Sequence, residues 1–204
     1  MTLPIILASA SPARLQLLKQ IGIVPDQVIP ADIDEIELAG ELPNKLAERL
    51  SIEKANCIAA KIECGIIIGS DTVPVIGRTA MRKAENENDV RESLLSLSQR
   101  RHRVYTGVCV IEKKQDGSMR EMHRVVKSTI KFKKISTAEI DYYCASGEGI
   151  GKAGGYSIAG YAGSFVAYMS GSFSNVVGLP LYETMNMLHS AGATPLQRNL
   201  KLTR

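Results

Sequence analysis

The first eighteen residues combine a short apolar run with the signals that start a helix. Residues 5–8 read Ile-Ile-Leu-Ala, which predicts a buried strand. Ser11 then suits the N-cap, because its hydroxyl can accept from an unpaired N–H of the first turn, and Pro12 suits the first helical position. Ser9 and Arg14 stand at the same junction. Such a helix start favours an anion, and phosphate is the one we expect.

Strands and helices alternate along the rest of the chain. From residue 102 the apolar period changes from that of helices to two, which predicts a hairpin turning at Asp116-Gly117. Ser136 and Glu139 have the spacing of a capping box. The predicted elements are an extended piece at 28–33, helices over 45–61 and 87–98, a strand at 66–68, hairpin strands at 102–113 and 119–134, a helix over 136–143 and a last helix over 181–190.

These elements predict a mixed α/β fold, with buried strands near the N-terminus and a twisted antiparallel hairpin in the second half. No linker is long enough to separate domains. We expect one domain over residues 1–192, arranged as two lobes with a central cleft, and a basic, flexible tail over 193–204.

Composition and charge point to a cytoplasmic protein. Of the 204 residues 45% are hydrophobic, and no run approaches the length of a membrane helix or resembles a signal peptide. The four cysteines lack disulfide or zinc spacing, which favours free thiols in a reducing compartment. The net charge is +4, yet residues 100–134 hold eleven Lys or Arg against three Asp or Glu. With few aromatic residues interleaved, this block favours a solvated face or an anionic-substrate rim over a nucleic-acid surface.

A second candidate constellation follows the predicted strand at 66–68. Gly-Ser-Asp-Thr at 69–72 comes directly after it, which puts Asp71 near the strand's carboxyl end. A carboxylate there can hold a divalent cation or act as a general base; starting a turn is an equal alternative. Glu35, Lys54 and Lys83 could each be a solvated surface group. Together with Arg14, however, they form the set that phosphoanhydride hydrolysis needs: cations to spread charge, and carboxylates for metal and water.

Two glycine-containing segments add candidates. Gly107, after Thr106 in a strand pattern, indicates a bulge or a close backbone approach. The segment 151–156, Gly-Lys-Ala-Gly-Gly-Tyr, lacks the Walker pattern, so ATPase chemistry of that type is disfavoured. It is either a flexible connection or a loop in which Lys152 and an aromatic ring flank a nucleobase.

In these residues and their order, the chain resembles the Maf family of nucleoside triphosphate pyrophosphatases over residues 4–190. Seven segments match in order: Ile-Leu-Ala-Ser-Ala-Ser-Pro-Ala-Arg at 6–14, Asp-Glu at 34–35, Leu-Ser-Ile-Glu-Lys-Ala at 50–55, Ile-Gly-Ser-Asp-Thr-Val at 68–73 with Lys83 beyond it, His-Arg-Val-Tyr-Thr-Gly-Val at 102–108, Lys-Ala-Gly-Gly-Tyr at 152–156 and Ser-Asn-Val-Val-Gly-Leu-Pro-Leu at 174–181.

The resemblance implies an elongated mixed sheet flanked by helices, a commonly dimeric assembly, and cleavage of a nucleoside triphosphate to the monophosphate and pyrophosphate with Mg²⁺ or Mn²⁺. It implies that Asp71 and Glu35 are the catalytic and metal-binding carboxylates. The residues it implies for substrate binding are Ser9, Arg14, Lys54, Lys83, Thr106 and Lys152. The expected role is nucleotide-pool housekeeping or division control.

The chain departs from the family pattern at several positions. Ala13 stands where the family usually has the first of two arginines, and Lys83 lacks its usual Gly-Lys-Pro context. The segment at 152–156 resembles the subfamily acting on dTTP and UTP, but Gly151 and Ala159 replace the usual Asp and Gln. These changes leave open an alternative, a weakly active or inactive regulator that binds nucleotides or nucleic acid. A phosphatase or kinase-like transferase is a third interpretation.

Overall fold

The computed structural model describes residues 3–195. Its strands are β1 Ile5–Leu7, β2 Gln27–Val28, β3 Gly65–Ile76, β4 Thr79–Ala80, β5 Arg101–Lys113, β6 Met119–Phe132 and β7 Val166–Ser170. Its α-helices are α1 Pro12–Gln20, α2 Pro43–Ala59, α3 Glu87–Leu97, α4 Thr137–Ala145, α5 Phe173–Val177 and α6 Leu181–Ser190. A single 3-10 helix, Tyr161–Phe165, precedes β7.

The strands form one mixed sheet of seven strands, in the order β2-β1-β3-β5-β6-β7 with β4 beside β3. The pairs β1–β2 and β1–β3 are parallel, whereas the pairs among β3, β5, β6 and β7 are antiparallel. Helices flank this sheet, so the predicted α/β class with a mixed, twisted sheet is confirmed. The hairpin of β5 and β6 is confirmed as well, and Gly117 in its turn has a φ of 81° that suits glycine.

The local capping signals act as the sequence predicts. The Ser11 hydroxyl accepts from the backbone N–H of Arg14, and Pro12 begins α1. Ser136 and Glu139 form a complete capping box at α4. These short-range patterns need no tertiary context to be satisfied, since each side chain bonds a backbone group within its own first turn.

The structure differs from the expected strands in three places. The strand predicted at 66–68 is too short, because β3 continues through the polar residues 69–72 to Ile76 and pairs with β5 from Gly65 to Val75. Asp71 therefore lies in the middle of β3, not at its carboxyl end. Of the extended piece expected at 28–33, only Val28 belongs to a strand, β2. Strand β7 and helix α5 form within residues 147–178, for which the sequence predicts no helix or strand.

Two apolar cores occupy one face of the sheet and give the molecule its two lobes. One core packs α1 and α6 against β1 and the apolar starts of β3 and β5, around Leu18 and Leu188. The other packs α3 and α4 against the far half of the sheet, around Leu94, Phe132 and Tyr143. Between them the same face carries buried hydroxyl side chains: Ser70, Thr106 and Ser128. These hydroxyls bond the backbone of residues 172–178, which cover this strip.

The packed part of the chain extends slightly beyond the predicted domain boundary. Ala193 and Thr194 are buried, and Ala193 joins the core around α6. The rest of the predicted tail, 196–204, lies outside the described residues. Within residues 3–195, no helix has both the length and the apolar character needed to cross a membrane.

Candidate active site

A cavity of about 420 Å³ lies in the cleft between the two lobes. Of the eight residues that sequence analysis selects, seven line this cavity: Ser9, Arg14, Glu35, Lys54, Asp71, Lys83 and Lys152. They come from α1, α2, β3 and four loops that are far apart in sequence. The lining thus holds four cationic and two carboxylate side chains, a surplus of two positive charges.

Two glycines place α2 close enough to the sheet to bring Lys54 beside Asp71. A Cβ on Gly107 would lie 2.0 Å from the carbonyl oxygen of Ala47, and one on Gly69 would lie 2.4 Å from that of Ser51. The helix backbone therefore rests directly on β3 and β5, as the close approach predicted at Gly107 requires. The consequence is a buried ion pair of 2.5 Å between Lys54 Nζ and Asp71 Oδ1.

Glu35 extends this pair into a chain of alternating charges. One of its oxygens lies 2.6 Å from Lys54 Nζ, and the other lies 2.6 Å from Lys83 Nζ. Burial raises the pKa of Glu35, but the hydrogen bonds and charges of the two lysines outweigh it and lower the pKa to about 2. Glu35 is therefore ionised at neutral pH, and the loop that carries it is held across the cleft.

Arg14 presents a partly buried cation to the cavity without a carboxylate partner within ion-pair distance in the described part of the chain. Its guanidinium donates to the carbonyl of Gly178 at 2.8 Å and to the hydroxyls of Ser9 at 3.0 Å and Thr72 at 3.2 Å. Burial lowers its pKa, while the charges of Asp71 and Glu35 raise it. A guanidinium held by neutral acceptors at a helix start is suited to an incoming phosphate.

Lys83 and Lys152 are held together by their backbones. Lys83 forms an isolated antiparallel bridge with Ala153. The N–H of Gly151 donates to the carbonyl of Ala84 at 2.7 Å, and that of Ala84 donates to the carbonyl of Lys152 at 3.1 Å. These contacts make one two-stranded rim from both loops, so the two cations border the cavity from the same side.

Thr106 is placed differently from the other seven. It is fully buried and is absent from the described lining of the cavity. Its hydroxyl donates to the carbonyl of Asn175 at 2.7 Å and lies 3.1 Å from the hydroxyl of Thr72, which also accepts from Arg14. Thr106 thus lies behind Arg14 and supports it through Thr72. Neither Thr72 nor Asn175 was selected from the sequence, although both lie inside the segments that carry the resemblance.

One wall of the cavity is apolar. Tyr156 closes it, and its hydroxyl lies 2.8 Å from Nε2 of the buried His102. Burial lowers the pKa of His102 to about 4, so this imidazole is neutral at neutral pH. Val104, Val176 and Val177 belong to the same wall, since they pack in the same core as Tyr156.

The two carboxylates fit a divalent cation. Asp71 and Glu35 both face the cavity, and one oxygen of each lies within 2.6 Å of the Lys54 ammonium. The two carboxylates are therefore close enough to share one positive charge. Among the described residues no group of three or more His, Cys, Asp or Glu side chains forms a complete metal cage. One or two carboxylates completed by phosphate oxygens is the arrangement that Mg²⁺ commonly adopts.

Curated relatives of this chain are named nucleoside triphosphate pyrophosphatase. The chain is 53% identical over 191 residues to the nucleoside triphosphate pyrophosphatase of Rickettsia africae (strain ESF-5), covering 93% of this chain and 88% of the relative. It is 52% identical to that of Rickettsia felis (strain ATCC VR-1525 / URRWXCal2), covering 93% and 94%.

Among solved structures, the Staphylococcus aureus Ham1 protein matches 62% of this chain and 71% of its own, with a TM-score of 0.38 and 20% identity. The family model described as "Maf-like protein" matches residues 4–191. The chain belongs to the Maf-like protein family.

Proposed function

We propose that this protein hydrolyses nucleoside triphosphates to the nucleoside monophosphate and pyrophosphate. The observation that carries the proposal is the single cavity in which four cations surround two ionisable carboxylates. A triphosphate is a polyanion, and cations fixed before it binds stabilise both its charge and the charge that develops during cleavage. The name shared by the Rickettsia relatives, nucleoside triphosphate pyrophosphatase, supports the same reaction.

The phosphates bind at the positive side of the cavity. Ser9 and Arg14 hold them at the start of α1, where the helix dipole adds to the attraction. Lys83 and Lys152 neutralise them from the opposite rim, and Lys54 does so from α2. The nucleoside lies against the apolar wall that Tyr156 closes.

Asp71 acts on the attacking water as a general base, and Glu35 assists it. Both carboxylates line the same cavity as the cations proposed to bind the phosphates. A divalent cation, Mg²⁺ or Mn²⁺, held by Asp71 and Glu35 would supply a more acidic bound water and additional neutralisation of the phosphates. Water attack then breaks one phosphoanhydride bond and releases pyrophosphate as the leaving group.

The finer expectations are part of the same proposal. The segment 152–156 supports dTTP or UTP as substrates, and Gly151, which precedes it, lines the cavity. The four free cysteines support a reducing, cytoplasmic location. Free nucleotides, not nucleic acid, are the proposed partners, and a homodimer is the proposed assembly.

Product analysis tests the proposal. The purified protein is incubated with a panel of nucleoside triphosphates and Mg²⁺ or Mn²⁺, and products are resolved by ion-exchange chromatography. We expect equal amounts of monophosphate and pyrophosphate; orthophosphate as the co-product would contradict the cleavage position. Asp71→Asn should lower kcat at least about 10²-fold with nucleotide binding retained, while Asp116→Asn in the distant hairpin turn is the control. Equal turnover of the two variants would mean that Asp71 is not catalytic, whereas nucleotide binding without turnover by the unaltered protein would favour the alternative, a binding protein.

A further inference from the structure

The segment that carries Glu35 is a long irregular loop whose second half, beyond Glu35, has little packing of its own. Residues 29–42, between β2 and α2, contain no helix or strand. Beyond Glu35 its large side chains point to solvent: Ile36 is 69% exposed and Leu38 is 57% exposed. Loops of this length without secondary structure are uncommon in compact domains and are usually functional. Before Glu35 the loop is held by the packing of Ala31 and Ile33 in the cores. Beyond Glu35 a different contact must hold it.

That contact is the guanidinium of Arg49 on α2. It donates to the carbonyl of Ile36 at 3.0 Å and to both oxygens of Glu41, at 2.8 Å and 2.7 Å. In the part of the chain that the structure describes, every hydrogen bond from residues 36–41 to another element involves Arg49. The remaining bonds of this stretch are internal, such as that from the N–H of Leu38 to Glu41.

The geometry of these hydrogen bonds requires arginine. A guanidinium offers parallel N–H groups to a carboxylate and further N–H groups to other acceptors, whereas an ammonium is a single point. Here one edge binds Glu41, and the remaining N–H groups reach the Ile36 carbonyl and Glu53 one turn later on α2. The Arg49 side chain is 22% exposed and that of Glu41 is 9% exposed, so solvent competes weakly for these bonds.

We propose that Arg49 is a positioning residue for Glu35, an inference that rests on the proposed function. In the free protein, Lys54 and Lys83 also hold the Glu35 carboxylate. Both lysines face the site of the phosphates, and a bound triphosphate competes with Glu35 for them. The anchor at Ile36, one residue beyond Glu35, does not face the cavity and persists throughout turnover. Arg49 thereby keeps the carboxylate in place when its lysine partners are engaged by substrate.

The test compares Arg49→Met and Arg49→Lys with Arg91→Met. Arg91 is a matched control, because it also bridges a glutamate on its own helix and an acidic residue of another element, at a distance from the cavity. We expect Arg49→Met to lower kcat about 10- to 100-fold with KM changed less than about threefold, since the phosphate-binding cations remain. Arg49→Lys should recover part of the loss. Arg91→Met should leave kcat and KM unchanged.

Two further measurements separate positioning from general destabilisation. Hydrogen–deuterium exchange should accelerate at residues 36–42 in Arg49→Met and not in Arg91→Met. In a Glu35→Gln background, Arg49→Met should change the residual kcat less than about threefold, because the group that it positions is already lost. Unchanged exchange, unchanged kcat, or an equal loss of kcat in both backgrounds would overturn the inference. Absence of pyrophosphate from the unaltered protein would instead overturn the proposed function, and exchange would still test the anchor.

Discussion

Substituting Gly107 by alanine should damage stability and activity together. A Cβ at this position would lie 2.0 Å from the carbonyl oxygen of Ala47 and 2.6 Å from its carbonyl carbon. Carbon–oxygen contacts normally begin at about 3.3 Å, so α2 must retreat by about 1 Å. The obstructing atoms belong to a helix backbone and cannot rotate away. Overpacking of this kind costs about 1–3 kcal/mol, and we expect about 2–3 kcal/mol here.

The same displacement should reach the cavity through Lys54. This lysine lies two helical turns beyond Ala47, and its Nζ is 2.5 Å from Asp71 on β3, the residue that pairs with Gly107. Misplacement of a positioned group by about 1 Å can cost about 10²-fold in rate. We therefore expect kcat/KM for nucleoside triphosphates to fall by about that factor in Gly107→Ala.

Urea unfolding and a pyrophosphate-release assay measure the two effects. The control is Gly117→Ala in the hairpin turn, where no atom lies within 4 Å of the added Cβ but φ is +81°. It should lose about 1 kcal/mol of stability from backbone strain, with unchanged turnover. If Gly107→Ala unfolds at the same urea concentration as the unaltered protein and keeps its turnover, then contact between α2 and β5 does not place Lys54.

Two other variants probe the charges and hydroxyls of the site. The pKa of Glu35 is about 2 in the folded protein, below its ordinary value of 4.5. Its contribution is therefore full above about pH 5 and lost as pH falls towards 2; because the side chain is 35% exposed, we expect about 1 kcal/mol. Urea unfolding should show Glu35→Gln less stable at pH 7 but equal near pH 2, and a constant difference would contradict this. Thr106→Val should lower the free energy of unfolding by about 1–2 kcal/mol and raise KM several-fold. Thr129→Val, on the opposite face of the sheet, is the control. An unchanged KM would mean that Thr106 does not support Arg14.

Local sequence signals predicted much of the fold. The strand and capped helix around Ser11, the hairpin turn at Asp116-Gly117 and the capping box at Ser136 all form as expected. Each depends on neighbouring residues only. The continuation of β3 through Asp71 was missed because Gly-Ser-Asp-Thr has the composition of a turn. Only pairing with β5, which follows some 30 residues later, makes that polar stretch extended.

The cavity shows the same division between local and distant information. Charged side chains in recognisable segments, such as Lys54 and Lys83, could be selected from the sequence, and the structure places them around one cavity. Thr106 was selected with them, yet its hydroxyl faces Asn175 and Thr72 inside the protein. The residues near Thr106 are apolar on both faces of β5, so the sequence pattern does not show which face meets the cavity. That depends on the register between the strands.

Arg49 marks the limit of reading the chain by its motifs. On α2 it has Glu53 four residues later, an ordinary surface pair worth a few tenths of a kcal/mol. Its contacts to Ile36 and Glu41 exist only because the irregular segment returns to the helix that follows it. A residue that acts by holding another in place carries no chemical signal of its own. The role of such a residue follows only from its bonds, and in this protein the bonds of Arg49 to Ile36 and Glu41 connect it to Glu35.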